Sequence, residues 1–191
     1  MKYISKLLLR ITGWKTINYV PPEIKKYVML SIPHTSNWDF FYGRVSLFAL
    51  GIKAKTLIKK EFFFFPLGYI LKALGAVPID RSKGVNVVNE TIKMFENNEK
   101  LIVLITPEGT RKLQKNWKRG FYYIAVKANV PIVLGHIDYL KKETGLTEIF
   151  YPTDNFEKDF VYIENFYKDK TAKYPENFNL SSQNLQMSSN S

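Results

Sequence analysis

With 191 residues, of which 46% are hydrophobic, 24% charged and 15% aromatic, the chain fits one folded domain with a substantial core and excludes a disordered polymer. It contains no cysteine, which excludes disulfides, thiolate zinc sites and a cysteine nucleophile. Its net charge of +11 is concentrated in the first 60 residues, where 11 Lys and Arg face only Glu23 and Asp39; that bias asks for an anionic partner at this end, whether nucleic acid, an anionic bilayer surface or a phosphorylated ligand.

Residues 2–14 read as a helix, with Ile4, Leu7, Leu8 and Ile11 at helical spacing and a basic stripe of Lys2, Lys6 and Arg10. Leu9 and Trp14 widen the apolar side. The stretch is too short and too charged to span a bilayer. It fits either a bilayer interface or a helix packed on its own domain. No apolar segment followed by a small-residue cleavage site marks it for export, so a cytoplasmic location is the default. Residues 1–20 are thus expected to be an amphipathic membrane-surface helix and connector, 21–178 an α/β domain, and 179–191, rich in Ser, Asn and Gln, a disordered tail.

After Pro21-Pro22, the run Tyr27 to Ile32 reads as a buried strand. It leads into Pro33-His34-Thr35-Ser36-Asn37-Trp38-Asp39. Histidine exchanges a proton near neutral pH, and a carboxylate that orients one ring nitrogen leaves the other free as a base. His34 and Asp39 are five residues apart, which turns roughly 140° on a helix, so only a strand end running through a turn into a helix start brings them together. Otherwise Asp39 merely caps the next helix and His34 is a loop residue.

Phe40 to Leu50, closed by Gly51, follows as a helix, and Ala54 to Ile58 as a strand, the strand–helix–strand grammar of an α/β sheet. The four phenylalanines 62–65 after Lys59-Lys60-Glu61 cannot all face one side of an element. Some belong at the surface, lining an apolar groove or touching lipid, unless a loop folds them into the core. Gly68 to Leu74 reads as a short helix and Gly75 to Arg81 as a short strand ending in Asp80-Arg81; an arginine there stands where ligands bind in α/β sheets and its fork suits phosphate, while a surface pair with Asp80 is the simpler account.

A polar helix over 85–99 precedes Leu101 to Ile105, fully apolar and suited to a central parallel strand. Immediately after it, Pro107-Glu108-Gly109-Thr110-Arg111 offers a tight loop, a backbone able to approach a ligand, an acceptor, a hydroxyl and a guanidinium. Residues 111–119 add five bases and no acid. Phe121 to Asn129 reads as a helix and Val130 to Leu134 as a strand with Pro131 at its start. Segments 137–140 and 146–151 flank Thr144-Gly145 as a hairpin or edge strands, and Phe156 to Tyr167 is an aromatic amphipathic helix. His136, on an apolar segment, reads as structural. No Gly-x-Ser-x-Gly elbow, phosphate-binding glycine loop or His-Glu-x-x-His is present, and two distant histidines without cysteine argue against a zinc site.

The ordered set His34-x4-Asp39, Gly75-Ala-Val-Pro-Ile-Asp-Arg81, Pro107-Glu-Gly-Thr-Arg111 and Val130-Pro131-Ile132-Val133 resembles the four sequence blocks of the glycerolipid acyltransferase family, which includes 1-acylglycerol-3-phosphate acyltransferases. The likeness covers residues 27–140. It implies that His34 takes a proton from an acceptor hydroxyl that then attacks an acyl thioester, with Asp39 orienting the imidazole. It further implies that Arg81, Glu108, Gly109, Thr110 and Arg111 bind a phosphorylated acceptor, and that Pro131 serves acyl-donor binding or site shape. No metal or cofactor is implied beyond acyl-CoA or acyl-carrier protein as co-substrate. The expected partners are that donor, a lysophospholipid or related acceptor and, through the amphipathic helix and the phenylalanine run, the cytoplasmic face of a membrane as a peripheral, monotopic protein. Departures from the family pattern at Pro33, Thr106, Lys112 and Leu134 bear on which acceptor is used. The resulting expectation is a single α/β domain, a mostly parallel mixed sheet flanked by helices with an N-terminal amphipathic helix. A nucleic-acid-binding module is the rival class; against it, the aromatics lie in apolar runs and not between bases as stacking platforms. A catalytically idle lipid-binding relative is a third reading, which the intact His34 and Asp39 oppose.

Overall fold

The apolar runs of the chain become neighbouring strands of one sheet. The computed structural model describes residues 1–80 and 84–180. In chain order the elements are α1 (Lys2–Thr12), β1 (Lys15–Asn18), β2 (Lys26–Ile32), α2 (Asn37–Leu50), β3 (Ala54–Lys59), α3 (Leu67–Ala73), β4 (Ala76–Ile79), α4 (Gly84–Glu96), β5 (Leu101–Ile105), α5 (Gly120–Ala128), β6 (Ile132–Asp138), β7 (Glu143–Phe150) and α6 (Phe156–Tyr167). The strand order is β1-β7-β6-β2-β5-β3-β4. Every neighbouring pair is parallel except β6 and β7. This is the single α/β domain with a mostly parallel sheet that the sequence predicts.

Alternation along the strands divides the core between two faces. From β2, Val28, Leu30 and Ile32 enter a cluster completed by Phe121, Tyr122 and Ile124 of α5 and by Ile163 and Tyr167 of α6. Tyr27 and Met29 point the other way, against Leu47 of α2. On that second face α1 docks through Leu9, which packs with Trp14, Val45 and Ala49. α4 and α5 pack on the first of these faces and α2 on the second. Because β2, β3 and β5 are parallel, their C-terminal ends open along one edge, the usual position for ligands in such sheets.

The elements depart from expectation in some places and agree with it in others. The N-terminal helix ends at Thr12, with Gly13 as a left-handed cap at φ 74°; Trp14 is therefore off the helix and in the core. The apolar stripe of α1 faces solvent, Ile4 being 62%, Leu7 58% and Ile11 72% exposed. The connector after it contains β1, a short edge strand that pairs in parallel with β7. The hairpin turn is 139–142, with Lys142 at φ 47°, and not Thr144-Gly145. Gly145 lies inside β7, where a Cβ would strike the ring of His136. Within the phenylalanine run, Lys60–Phe62 form a 3-10 turn, and Phe62, Phe64 and Phe65 are exposed. Of the expected tail, Leu180 is buried and the Asn179 carbonyl accepts from Trp117 Nε1 at 3.2 Å; residues 181–191 lie outside the described residues.

Candidate active site

The turn between β2 and α2 sets the first geometry. Ser36 is the N-cap of α2 and Asp39 its N3 residue, forming a reciprocal capping box. Asp39 Oδ2 accepts from the main-chain N–H of Thr35 at 2.6 Å and of Ser36 at 2.7 Å. That grip folds the carboxylate back over the turn, leaving Oδ2 at 3.8 Å from His34 Nδ1. The five-residue offset is thus bridged by a strand end, a turn and a helix start, as the sequence requires. At 3.8 Å the contact with His34 is electrostatic and too long for a hydrogen bond.

His34 is held from the other side by its own main chain, whose N–H donates to Glu108 Oε1 at 2.9 Å. Its proton affinity is lowered chiefly by burial; the charge of Asp39 works against this and that of Arg111 works with it. The imidazole is therefore neutral at pH 7, with Nδ1 toward a carboxylate and Nε2 available as a base.

His34 lines a cavity of about 720 Å³. Its walls come from both faces of the sheet at the C-terminal edge: Ser31, Thr56, Ile58 and Leu104 on the α2 face, and Leu57, Ile79, Ile105, Phe121 and Ile124 on the other. Gly109, Thr110, Arg111, Lys59 and Lys118 add its polar and cationic part. Gly109 has φ 68°, and the space where its Cβ would stand is filled by the Lys118 stem at 3.0 Å, so this corner accepts little but glycine. Hydrogen bonds from Gly109 N to Thr106 O at 3.0 Å and from Lys118 N to Pro107 O at 2.8 Å shape the loop. An apolar chamber with a neutral imidazole and cations at one part suits a ligand with a hydrocarbon chain and an anionic or oxyanionic centre.

A family model described as Acyltransferase matches residues 15–134. The chain belongs to the acyltransferase family. The fold of this acyltransferase is shared with the crystal structure of the 1-acyl-sn-glycerophosphate acyltransferase PlsC from Thermotoga maritima, at a TM-score of 0.57 and 16% identity over 98% of this chain and 78% of that one. No curated protein matches it.

Of the residues singled out in the sequence of this acyltransferase, His34, Asp39, Gly109, Thr110 and Arg111 meet at the cavity. Glu108 is turned away from it, into the protein behind His34, with only 6% exposed. Its second oxygen, Oε2, is buried with no hydrogen-bond partner among the described residues. Pro131 is not brought to the site: it precedes β6, which runs parallel to β2 with Val28 opposite Ile132, so it stands at the opposite edge of the sheet, where its carbonyl accepts from Val28 N at 3.0 Å. Arg81 lies outside the described residues; its neighbour Asp80 pairs with Lys60 at 2.6 Å. His136 is buried and contacts Glu143 Oε1 at 3.1 Å within the β6–β7 hairpin, a structural placement.

Two participants escape the sequence reading. Arg44 on α2 lines the cavity while buried, and its guanidinium donates to Ala54 O at 3.2 Å and Thr56 Oγ1 at 2.6 Å. A lone base in the apolar run 40–50 was the available signal. Tyr139 donates its hydroxyl to Asp39 Oδ1 at 2.6 Å across 100 positions of sequence, and nothing local announces that contact.

Proposed function

We propose that this acyltransferase moves a fatty acyl group from an acyl-CoA or acyl-carrier-protein thioester to a glycerolipid hydroxyl, with 1-acyl-sn-glycerol-3-phosphate as the preferred acceptor and phosphatidate as product. The observation that carries the reading is a neutral His34, backed by Asp39, on the wall of a largely apolar cavity that also presents Arg111 and Lys118. His34 Nε2 takes the acceptor's hydroxyl proton as its oxygen attacks the thioester carbonyl. The resulting imidazolium is stabilised by Asp39. Collapse of the tetrahedral intermediate breaks the carbon–sulfur bond, and the departing thiolate recovers the proton from His34. Cations near the base suit both the developing oxyanion and the acceptor phosphate.

The protein works as a peripheral, monotopic enzyme on the cytoplasmic face of the membrane. In support, α1 presents Ile4, Leu7 and Ile11 outward beside Lys2, Lys6 and Arg10, and Phe64 and Phe65 project near α3. No helix among the described residues is long and apolar enough to cross a membrane.

An acceptor panel with radiolabelled acyl-CoA and acyl-carrier protein, run on wild type and His34→Ala, tests the chemistry. Transfer to lysophosphatidate that drops at least a hundredfold in the variant is the expected result. Equal transfer by His34→Ala sinks the mechanism, and preference for an acceptor without phosphate redirects the substrate to another lipid.

A further inference from the structure

We infer that Tyr139, which lies beyond the span matched by the family model, is a positioning residue for acyl transfer: its hydroxyl sets the plane in which Asp39 faces His34. The inference rests on the proposed role of His34 as base.

Asp39 is 2% exposed, so each carboxylate oxygen needs a partner from the protein. The two main-chain donors from Thr35 and Ser36 both bind Oδ2. Held at one oxygen only, a carboxylate retains rotation about its last bond, for which aspartate has a broad range. The Tyr139 hydroxyl supplies the second point of attachment, on Oδ1 at 2.6 Å. Three fixed donors define the plane, and with it the oxygen presented to Nδ1 of His34 at 3.8 Å.

Tyr139 is itself fixed from three directions. It directly follows β6, where Asp138 Oδ1 accepts from the N–H of Leu140 at 3.0 Å and of Lys141 at 3.2 Å to shape the turn. Its ring lies edge-on to Trp14, with centroids 5.1 Å apart at 89°, and Trp14 stacks on Tyr42 of α2 at 4.2 Å. Its own N–H donates to Thr171 O at 2.9 Å, so the C-terminal segment also braces it. The hydroxyl stays protonated as a donor: burial first, then the hydrogen bond to Asp39, raise its pKa. The charged and titratable groups facing His34 are Asp39 from α2, Glu108 through its main-chain contact, and Arg111 from the loop after β5.

Tyr139→Phe deletes one oxygen and keeps the ring contacts. With wild type and variant compared at saturating donor and acceptor, kcat should fall on the order of tenfold, a fraction of what a positioned base supplies, with both KM values within about twofold. The two histidines give a readout besides activity by heteronuclear NMR titration of the full chain. The midpoint of His34 should move to lower pH, since the charge that favours its imidazolium is no longer held toward it, while His136, against Glu143, stays in place. Unchanged kcat with an unchanged His34 midpoint overturns the inference. So does a shift of both histidines together with raised KM, because that marks general loosening and a merely structural tyrosine. Should the variant fail to fold, the wild-type Tyr139 hydroxyl proton serves instead: its resonance should track His34 protonation, and indifference to it overturns the proposal. If wild type acylates no acceptor, the proposed function falls, whereas the coupling between Tyr139 and His34 is still read by NMR.

Discussion

At the scale of one residue, Glu108 shows how burial sets chemistry. Its carboxyl receives a single N–H, from His34, and its other oxygen meets no donor among the described residues. Desolvation pushes its pKa up to about 8; the nearby charge of Asp39 adds to the rise and the His34 N–H opposes it. It is therefore a neutral acid at pH 7 that supports the loop carrying His34. The sign of the consequence follows from linkage. In the unfolded chain a glutamate ionises near its ordinary value of 4.5, whereas here it keeps its proton to about 8, so between those values the native state binds one proton more. Stability should fall with rising pH across that window, by about 1.4 kcal/mol per pH unit from this group, and level off above it. Glu108→Gln removes the titration. Thermal unfolding of both proteins between pH 5 and 8.5 should show wild type losing ground to the variant as pH rises. Parallel curves would mean that Glu108 is ionised throughout.

At the scale of elements, α2 carries most of the candidate site, and the turn before it was legible because the offset of Asp39 from His34 required one. The helix start was read too late, at Phe40 with Asp39 as its cap: the helix begins at Asn37, Ser36 is the N-cap and Asp39 the N3 member of the capping box. Ser36→Ala leaves the Trp38 N–H without its 3.1 Å acceptor. It should cost about 1 kcal/mol, or roughly 2–4 °C in a domain of this size, and because α2 presents both Asp39 and Arg44 it should also lower kcat. An unchanged unfolding temperature would show that water replaces the cap fully. The strands were legible where four or more apolar residues run together, as in β2 and β5. β1 was not, since four polar-flanked residues at a sheet edge have no pattern of their own and are defined by pairing with β7. Thr144-Gly145 misled for a related reason. Its glycine makes room for the His136 ring across the hairpin, a tertiary demand that looks like a turn in one dimension. The contact between Tyr139 and Asp39 was invisible for the same cause, as was the placement of Pro131 at the far edge of the sheet.

At the scale of the whole molecule, two exposed apolar patches, one on α1 and one around α3, fall in segments rich in Lys and Arg. α1 holds to the domain by Leu9 and the following Trp14, and turns Tyr3, Ile4, Leu7 and Ile11 to solvent. Phe64 and Phe65 project beside Tyr69 and Ile70 of α3, and Lys2, Lys6, Arg10, Lys59 and Lys60 lie in the same two segments of the sequence. A soluble surface rarely leaves so many large apolar side chains uncovered, and the basic residues of these segments suit an anionic counterpart. Deleting residues 1–14 is a poor test of attachment, because it also pulls Leu9 and Trp14 out of the core and takes from Tyr139 its ring partner; that loss should lower the unfolding temperature by several degrees or more. Replacing Ile4, Leu7 and Ile11 together by asparagine separates the two effects. These side chains are exposed, so the unfolding temperature should move by no more than about 2 °C. Sedimentation with vesicles containing anionic lipid should be largely lost, and the residual binding of a second variant, Phe64→Asn with Phe65→Asn, should weaken further as salt screens the lysines. A triple variant that sediments as fully as wild type would move the membrane contact from α1 to the phenylalanine patch; if the Phe64/Phe65 variant is equally unaffected, neither apolar patch meets the bilayer, and the basic residues alone would have to hold the enzyme to the proposed lipid acceptor.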